Sequence, residues 1–288
     1  MSLEELLKEI AEDRVSGASQ LTIKAATLFL KLTEGRVRLR AVKRLARLLT
    51  KVRPSMPSIA NIAVAIALET EAEVSAGAEV KDALERVVRR VVKEYQESLR
   101  TVVSNGVSFL SNYGSILTHS YSSTVAAVLE ESPDIEVTVT ESRPGLEGVK
   151  LAERLASKGL RVTLIVDAAA AYVMRDVEAV VVGCDALLQD GSFLNKVGTK
   201  MIALAAAEAG TSLYVFTDLW KAAVHGFEVE EHPPKEVYSG EAPLRAHNPY
   251  FEQTPGKLVS RYVTEAGVMR LRELRSRLRE VWETFSSR

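Results

Sequence analysis

Residues 115–140 read SILTHSYSSTVAAVLEESPDIEVTVT, and this stretch decides the fold class. It begins with a short apolar run, continues through a helical pattern, and ends in a β-branched run at residues 137–140. Strands that are separated by helical segments of ten to fifteen residues form parallel sheets, because the helix returns the chain to the end of the sheet where it started. The stretch therefore predicts one strand–helix–strand unit of a parallel sheet.

The same alternation continues along the chain to about residue 216. Further strands are predicted at residues 162–166, 179–183 and 213–216, with helices between them. Right-handed crossovers wind such units into a Rossmann-like doubly wound parallel sheet. We therefore expect an α/β domain over residues 105–288, with an ordered but irregular arm at residues 232–255 and a helical tail from about residue 268.

The amino-terminal part, residues 1–104, has a different pattern. Its apolar residues recur at intervals of three and four, which is the spacing of helices that bury one face. Two prolines within residues 52–57 interrupt this pattern, because proline removes a backbone donor and disfavours helix in the residue before it. A long helix is predicted at residues 80–103. We therefore expect an N-terminal helical domain ahead of the α/β domain.

The composition excludes several classes of protein. The chain has 288 residues, 47% of them hydrophobic, with 37 Lys and Arg against 38 Asp and Glu. It is too apolar and too balanced in charge to be disordered, and one cysteine excludes a disulfide framework. No apolar run reaches the ~18 residues that cross a bilayer. We expect a cytoplasmic protein that binds neither membrane nor nucleic acid directly, and its nine Asn and Gln residues are typical of proteins from hot environments.

One region is strongly basic despite the balanced total charge. Eight cations follow one another with no acidic residue between them: Arg36, Arg38, Arg40, Lys43, Arg44, Arg47, Lys51 and Arg53. Such a run forms either a solvated helix face or a docking surface for an acidic partner.

Polar side chains follow the predicted strands, and in open parallel sheets the ligand binds at the carboxyl ends of the strands. Residues 120–124 form a hydroxyl-rich turn before a helix, where free N–H groups bind phosphate. The alternative is that Ser122 or its neighbour simply caps that helix. Lys196 and Asn195 precede another predicted helix, and the guanidinium of Arg143 adds a bidentate donor. These residues predict a site for a phosphorylated ligand.

Asp185 follows the apolar run at residues 179–183. It is either a proton donor and acceptor with a raised pKa or a structural carboxylate at the end of a strand. We interpret Cys184 as a small buried apolar residue and His119 as a residue that orients a loop. The histidines lack metal-ligand spacing, and no G-x-G-x-x-G follows the first strand, so we expect neither a metal nor a dinucleotide cofactor.

Nearly the whole chain resembles one known protein family. It resembles the alpha, beta and delta subunits of translation initiation factor 2B and their isomerase relatives, ribose-1,5-bisphosphate isomerase and methylthioribose-1-phosphate isomerase. The resemblance rests on strings that occur in the family's order and spacing: THSYSSTVAAVLE, VTESRPGLEG, VDAAAAYVM, VVVGCDALLQDGSFLNKVGT and NPYFEQTP. It implies ligand contacts at Gly17 and Ala18, and an Arg-Pro loop at Arg53-Pro54 with Asn61.

The resemblance also implies how catalysis would work, and the chain departs from that pattern. The isomerases use an Asp, matched here by Asp185, and a Cys at the position of Ser120. A serine hydroxyl is far less acidic than a thiol and needs a strong neighbouring base to ionise. The isomerases also tend to carry Arg at the position of Ser16 and Gln at the position of Glu147. The residues of this chain lose a cation and add a carboxylate, and both changes weaken the binding of a doubly charged sugar phosphate.

The leading hypothesis is a non-catalytic protein of the initiation factor 2B type that binds a nucleotide or sugar phosphate. The resemblance implies a homodimer or higher homo-oligomer, with initiation factor 2 or other factor 2B-like subunits as partners. The alternative is an aldose-ketose isomerase, an intramolecular oxidoreductase, that uses Asp185 with Ser120 or with the displaced Cys184.

Overall fold

The chain forms two compact units in a computed structural model that describes residues 3–13, 17–229 and 231–286. The first unit consists of residues 1–98, 219–228 and 278–288, and the second of residues 99–218 and 229–277. The predicted domain boundary at residue 104 stays a prediction. The units are not continuous in sequence, because two later segments of the chain belong to the amino-terminal one.

Helices build the first unit. They are α1 (Leu3–Glu12), α2 (Ala18–Lys31), α3 (Leu39–Val52), α4 (Pro57–Ser75) and the beginning of α5 (Val80–Leu110). Pro57 occupies the first turn of α4, where its missing N–H group costs no helical hydrogen bond. Ile59, Ile62 and Ile66 of α4 are fully buried, so this helix forms the centre of the unit's core.

Helix α5 is longer than the sequence predicts. The prediction ended the helix at residue 103, but it continues through Asn105 and Gly106 to Leu110. A Cβ atom on Gly106 would lie 2.6 Å from Val128 Cγ2 and 3.0 Å from the Phe216 ring. Glycine at this position therefore allows close packing and does not end the helix.

A seven-stranded sheet forms the centre of the second unit. Its strands are β1 (Ser115–Thr118), β2 (Glu136–Thr140), β3 (Val162–Ile165), β4 (Ala179–Val182), β7 (Ser212–Phe216), β9 (Arg261–Thr264) and β10 (Gly267–Met269). The strand order is β3-β2-β1-β4-β7-β9-β10, and all neighbours are parallel except β9 and β10. The first six strands have the doubly wound order of Rossmann-like sheets, so the predicted fold class is confirmed.

Three helices connect these strands, and a fourth follows β10. They are α6 (Ser123–Glu130), α7 (Glu147–Ser157), α8 (Thr199–Ala209) and α9 (Leu271–Ser286). Buried apolar side chains of α6, α7 and the central strands form one core, which includes Leu129, Val139, Leu151 and Val181.

A second sheet of three antiparallel strands was not predicted. It consists of β5 (Ala186–Leu187), β6 (Phe193–Lys196) and β8 (Phe251–Thr254), in the order β5-β6-β8. Asn195 and Lys196 therefore lie in a strand, and α8 begins only at Thr199. The predicted irregular arm ends in strand β8, and the tail helix starts at residue 271, after the unpredicted strands β9 and β10.

No helix in the described part of the chain is long and apolar enough to span a membrane.

Candidate ligand site at the carboxyl ends of the strands

The loops that follow β1, β2, β4 and β6 approach one another at the carboxyl edge of the sheet. A Cβ atom on Gly183, just after β4, would lie 2.5 Å from Ser122. A Cβ atom on Gly198, which has a φ of +105°, would lie 2.9 Å from His119 Nε2. Glycines thus allow two loops to pack against the turn after β1.

Ser120 and Ser122 lie in this turn. Ser120 has a left-handed backbone (φ 66°), and its N–H donates a hydrogen bond to Ser142 Oγ over 2.8 Å. The Ser122 hydroxyl accepts a hydrogen bond from the backbone N–H of Val125 over 3.3 Å. Ser122 is therefore the N-cap of α6, and both serines are partly exposed at the start of that helix.

His119 is buried behind the turn and both of its ring nitrogens are occupied. Its Nε2 lies 2.8 Å from the Val197 carbonyl oxygen, which only accepts, so Nε2 carries the proton. Its Nδ1 then accepts a hydrogen bond from the Thr140 hydroxyl over 2.6 Å. Burial lowers the pKa of His119, an effect that the Val197 hydrogen bond and the charge of Asp167 oppose only in part. His119 is therefore neutral and joins the loops after β1, β2 and β6.

Asp167 organises the loop after β2. Its carboxylate accepts hydrogen bonds from the backbone N–H groups of Ser142 (2.8 Å) and Arg143 (2.7 Å). The Arg143 side chain is exposed, and its guanidinium has no ion pair within the described residues. We did not assign Asp167 a role from the sequence, although a carboxylate directly after the third predicted strand is a signal that sequence reasoning could use.

Lys196 is almost fully buried and has a counter-ion within its own unit. Its Nζ donates a hydrogen bond to Glu147 Oε1 over 3.2 Å and lies 3.5 Å from the centre of the Tyr250 ring. Burial lowers the pKa of Lys196, while the charge of Glu147 opposes this shift. The Tyr250 hydroxyl also donates to Glu147 Oε1, and His232 stacks on the Tyr250 ring. Glu147 Oε2 is buried and has no hydrogen-bond partner among the described residues.

A carboxylate already occupies the N-terminus of α8. Glu252 Oε1 accepts hydrogen bonds from the N–H groups of Gly198 (2.7 Å) and Lys200 (2.9 Å). Asn195 donates to the Thr199 hydroxyl, which donates to the Lys196 carbonyl. The second helix start that we predicted to favour an anion is therefore satisfied from within the chain.

Asp185 lies between β4 and β5 and is partly exposed. Its backbone N–H donates to the Leu194 carbonyl over 2.8 Å, which joins the residue to β6. Cys184, beside it, is buried, which agrees with its interpretation as an apolar residue.

Comparison with known proteins identifies the family to which the chain belongs. The family model described as "Initiation factor 2 subunit family" matches residues 2–271. The chain belongs to the initiation factor 2 subunit family. It is 30% identical over 276 residues to a translation initiation factor eIF-2B subunit 2-like protein of Pyrococcus furiosus, covering 92% of this chain and 95% of that protein.

Two further relatives carry different names, one that of an isomerase and the other that of an initiation factor. A ribose 1,5-bisphosphate isomerase of Methanocaldococcus jannaschii is 34% identical over 203 residues, covering 64% of this chain and 65% of the isomerase. The crystal structure of a translation initiation factor eIF-2B of Pyrococcus horikoshii OT3 matches with a TM-score of 0.80 and 29% identity, covering 93% of this chain and 96% of that one. The family thus contains both factor-like and isomerase relatives.

Other residues that the family resemblance singled out lie in the first unit. Gly17 is the N-cap of α2 and Ala18 its first residue. Arg53 is buried and donates to the Asp13 carbonyl oxygen over 2.7 Å, and the Asn61 amide donates to the carbonyls of Trp220 and Ala222. Their assignment as ligand contacts stays a prediction, and Ser16 lies outside the described residues.

Two surface clefts in this family member are lined by residues outside the predicted site. One, of about 380 Å³, lies in the second unit beside Asp190, Lys257 and Arg275. The other, of about 720 Å³, runs along α3 in the first unit and is lined by Arg40, Ala41, Arg44, Arg47, Leu48, Thr50 and Lys51. No cluster of His, Cys, Asp and Glu within the described residues is arranged to hold a metal ion.

Proposed function

We propose that this member of the initiation factor 2 subunit family is a non-catalytic eIF2B-like protein that binds a nucleotide or sugar phosphate at the carboxyl edge of β1 and β2. The observation that carries the proposal is the state of His119. The chain has Ser120 in place of the thiol that the isomerase resemblance implies, and a serine needs a base to become a nucleophile. His119 is adjacent, but both of its nitrogens are engaged.

The exposed groups at this edge support an anionic ligand. The N-terminus of α6 presents backbone N–H groups beside the partly exposed hydroxyls of Ser120 and Ser122. The Arg143 guanidinium is exposed at the next loop and offers a bidentate contact to phosphate oxygens. Lys196 contributes less than its charge suggests, because Glu147 neutralises it.

The isomerase of Methanocaldococcus jannaschii supports one alternative, in which this chain is an aldose-ketose isomerase that uses Asp185 and Ser120. Under this alternative Asp185→Asn abolishes turnover and leaves ligand binding intact, because the amide keeps the shape but exchanges no proton. Loss of binding in the same variant would instead assign Asp185 a structural role.

The proposal includes a partner as well as a ligand. Initiation factor 2 or another factor 2B-like subunit is the partner that the eIF-2B relatives suggest, in the cytoplasm. The cleft along α3 supports a contact with acidic groups, because Arg40, Arg44, Arg47 and Lys51 recur on one exposed face of the helix. These four cations have no ion pair in the part of the chain that the structure describes.

The proposal also includes a homodimer or a higher homo-oligomer. Strand β3 is an edge strand in which Leu164 is 47% exposed, and after the strand Val166 is 55% and Tyr172 87% exposed. Exposed apolar side chains in and after an edge strand are typical of a surface that another chain covers.

The experiment that tests the function is a thermal-shift titration with ribose-1,5-bisphosphate, methylthioribose-1-phosphate, AMP and GDP, with isomer formation followed by NMR. A ligand that binds the folded state raises the melting temperature with its concentration. We expect a shift without product, and Arg143→Gln should reduce it. Product formation would overturn the non-catalytic proposal, and the absence of any shift would overturn the ligand pocket.

A further inference from the structure

The 380 Å³ cleft of the second unit is lined by more cations than acids. Lys200 comes from α8, Lys257 from the turn after β8, and Arg275 from α9. These three cations come from separate elements, so they do not form the ordinary solvated face of one helix. Asp190 is the one acidic residue among the lining residues.

The Asp190 carboxylate is bound by its own turn. Its Oδ1 accepts hydrogen bonds from the Ser192 N–H (2.9 Å) and the Ser192 hydroxyl (2.5 Å). Burial raises the pKa of Asp190, but these hydrogen bonds and the charge of Arg275 outweigh it and hold the pKa below its usual value. Arg275 Nε donates to the Asp190 carbonyl oxygen over 2.6 Å, which fixes the guanidinium at the cleft. Its two terminal nitrogens form no hydrogen bond with a described residue and remain donors for a bidentate contact.

The base of the cleft is rigid. A Cβ atom on Gly256 would lie 2.5 Å from the Gly191 carbonyl oxygen, so the two backbones are in close contact. The buried Tyr262 hydroxyl donates to the same oxygen over 2.5 Å. Gln253 donates to the Ser192 hydroxyl, which in turn donates to Asp190. The turn is therefore held by its own contacts, and the ammonium groups of Lys200 and Lys257 form no ion pair with any described residue.

From this geometry we infer that the cleft is a second anion site, which binds a small dianion such as pyrophosphate or the phosphate group of a phosphomonoester. Three cations against one internally bound carboxylate leave a positive field that a dianion neutralises. The cleft's volume is at the lower end of the ~300 to 1,000 Å³ that small-molecule sites occupy. The site does not depend on the proposed ligand pocket at β1 and β2, since the residues that line it are different.

Isothermal titration calorimetry of the full chain with pyrophosphate, inorganic phosphate and ribose 5-phosphate tests the inference. Pyrophosphate and ribose 5-phosphate separate a preference for the bare anion from one for a phosphorylated metabolite. We expect Lys257→Gln to weaken binding about 10-fold, which corresponds to about 1.4 kcal/mol, and the double variant Lys200→Gln/Lys257→Gln to weaken it further. Both lysines are exposed, so these variants should fold normally.

Two control variants make the result decisive. Lys150→Gln removes one exposed cation of α7 that does not line the cleft, and it should leave binding unchanged. Arg143→Gln removes a cation from the proposed pocket, and it should leave unchanged the part of pyrophosphate binding that Lys257→Gln weakens. Absence of binding to all three anions would overturn the second site. Binding that Arg143→Gln abolishes and Lys257→Gln does not would also overturn it, while supporting the pocket at β1 and β2.

Discussion

The Lys196 ammonium group lies 3.2 Å from Glu147 Oε1, so a buried cation at the carboxyl edge of the sheet has an internal counter-ion. A phosphate that approached Lys196 would compete with a carboxylate that is already in place. The pair also leaves Glu147 Oε2 buried without a hydrogen bond from the described residues, which is energetically unfavourable.

Glu147→Gln should strengthen phosphorylated-ligand binding and weaken the fold. The amide still accepts a hydrogen bond from Lys196 but no longer neutralises it, so unfolding free energy should fall by about 1–3 kcal/mol. Affinity for the phosphorylated compound that shifts the melting temperature should rise about 10-fold, as measured by calorimetry. Glu153→Gln, an exposed change on the same helix, is the control. Weaker binding in Glu147→Gln would mean that Glu147 contacts the ligand.

The stability of the second unit should depend on the ionisation of His119. The native state holds this imidazole neutral, whereas the unfolded chain binds a proton below about pH 6.5. Stability should therefore be unaffected by His119 above that pH and fall as the pH drops from 6.5 towards the lowered native pKa.

Urea unfolding between pH 5 and 8 measures this effect. His119→Gln keeps a donor for the Val197 carbonyl and should lose less stability on acidification than the wild type. His247→Gln changes an exposed imidazole and serves as the control. Equal acid sensitivity of the His119→Gln variant and the wild type would contradict the assignment.

Gly106→Ala should destabilise the protein, although alanine is ordinarily the better helix former by about 1 kcal/mol. The new methyl group would lie 2.6 Å from Val128 Cγ2, and such overpacking costs about 1–3 kcal/mol. Ser104→Ala, on an exposed position of the same helix, should be neutral or slightly stabilising. Denaturant unfolding of both variants compares the two effects, and a stabilised Gly106→Ala would refute the close packing.

Charged substitutions in β3 and in the segment after it should dissociate the proposed oligomer. Leu164→Glu and Tyr172→Glu each replace an exposed apolar side chain by a carboxylate, which opposes burial against a second copy. Light scattering after size exclusion should give the monomer mass for these variants and a larger mass for the wild type. Leu244→Glu, at an exposed leucine elsewhere in the unit, should keep the larger mass.

Charge reversal along α3 should abolish binding to the proposed acidic partner. Arg40→Glu, Arg44→Glu and Arg47→Glu together change only exposed side chains, so the melting temperature should change little. The measurement is calorimetric binding of purified initiation factor 2 at low and high salt. Reversal of Arg89 and Lys93, which pair with Glu85 and Glu97 on α5, is the control. Intact binding in the α3 variant would refute this surface.

The parallel part of the sheet could be predicted because its signals are local. Short β-branched runs alternate with helical patterns, and the five predicted strands all occur within one residue of their expected ends. Strand β6 was missed because its partner β8 lies more than fifty residues later, and both strands contain polar residues. The end of α5 was misplaced because Gly106 packs against Val128 and Phe216. These residues are distant in sequence, so the sequence does not show why a glycine is needed there.

The candidate site was predictable only as a set of residue types. The polar residues after the strands could be read from the sequence, and so could the alternative that one of the serines caps α6. The partners of His119 lie 21 and 78 positions away, so its neutral, fully hydrogen-bonded state could not be inferred from the sequence. The same is true of Glu252 at the start of α8, which is 52 positions from the Lys200 N–H that it binds.

The antiparallel pair β9–β10 gives the two edges of the large sheet different characters. One edge ends in a three-residue strand that runs against its neighbour, and the other ends in the parallel strand β3. Repeated head-to-tail addition of copies would require one edge to accept the other, and such contacts produce open filaments. The oligomer that we propose would join β3 of one copy to β3 of another, and such a contact uses the same surface on both copies. A contact formed by β3 alone would therefore be complete with two copies, which is the smaller of the two proposed assemblies.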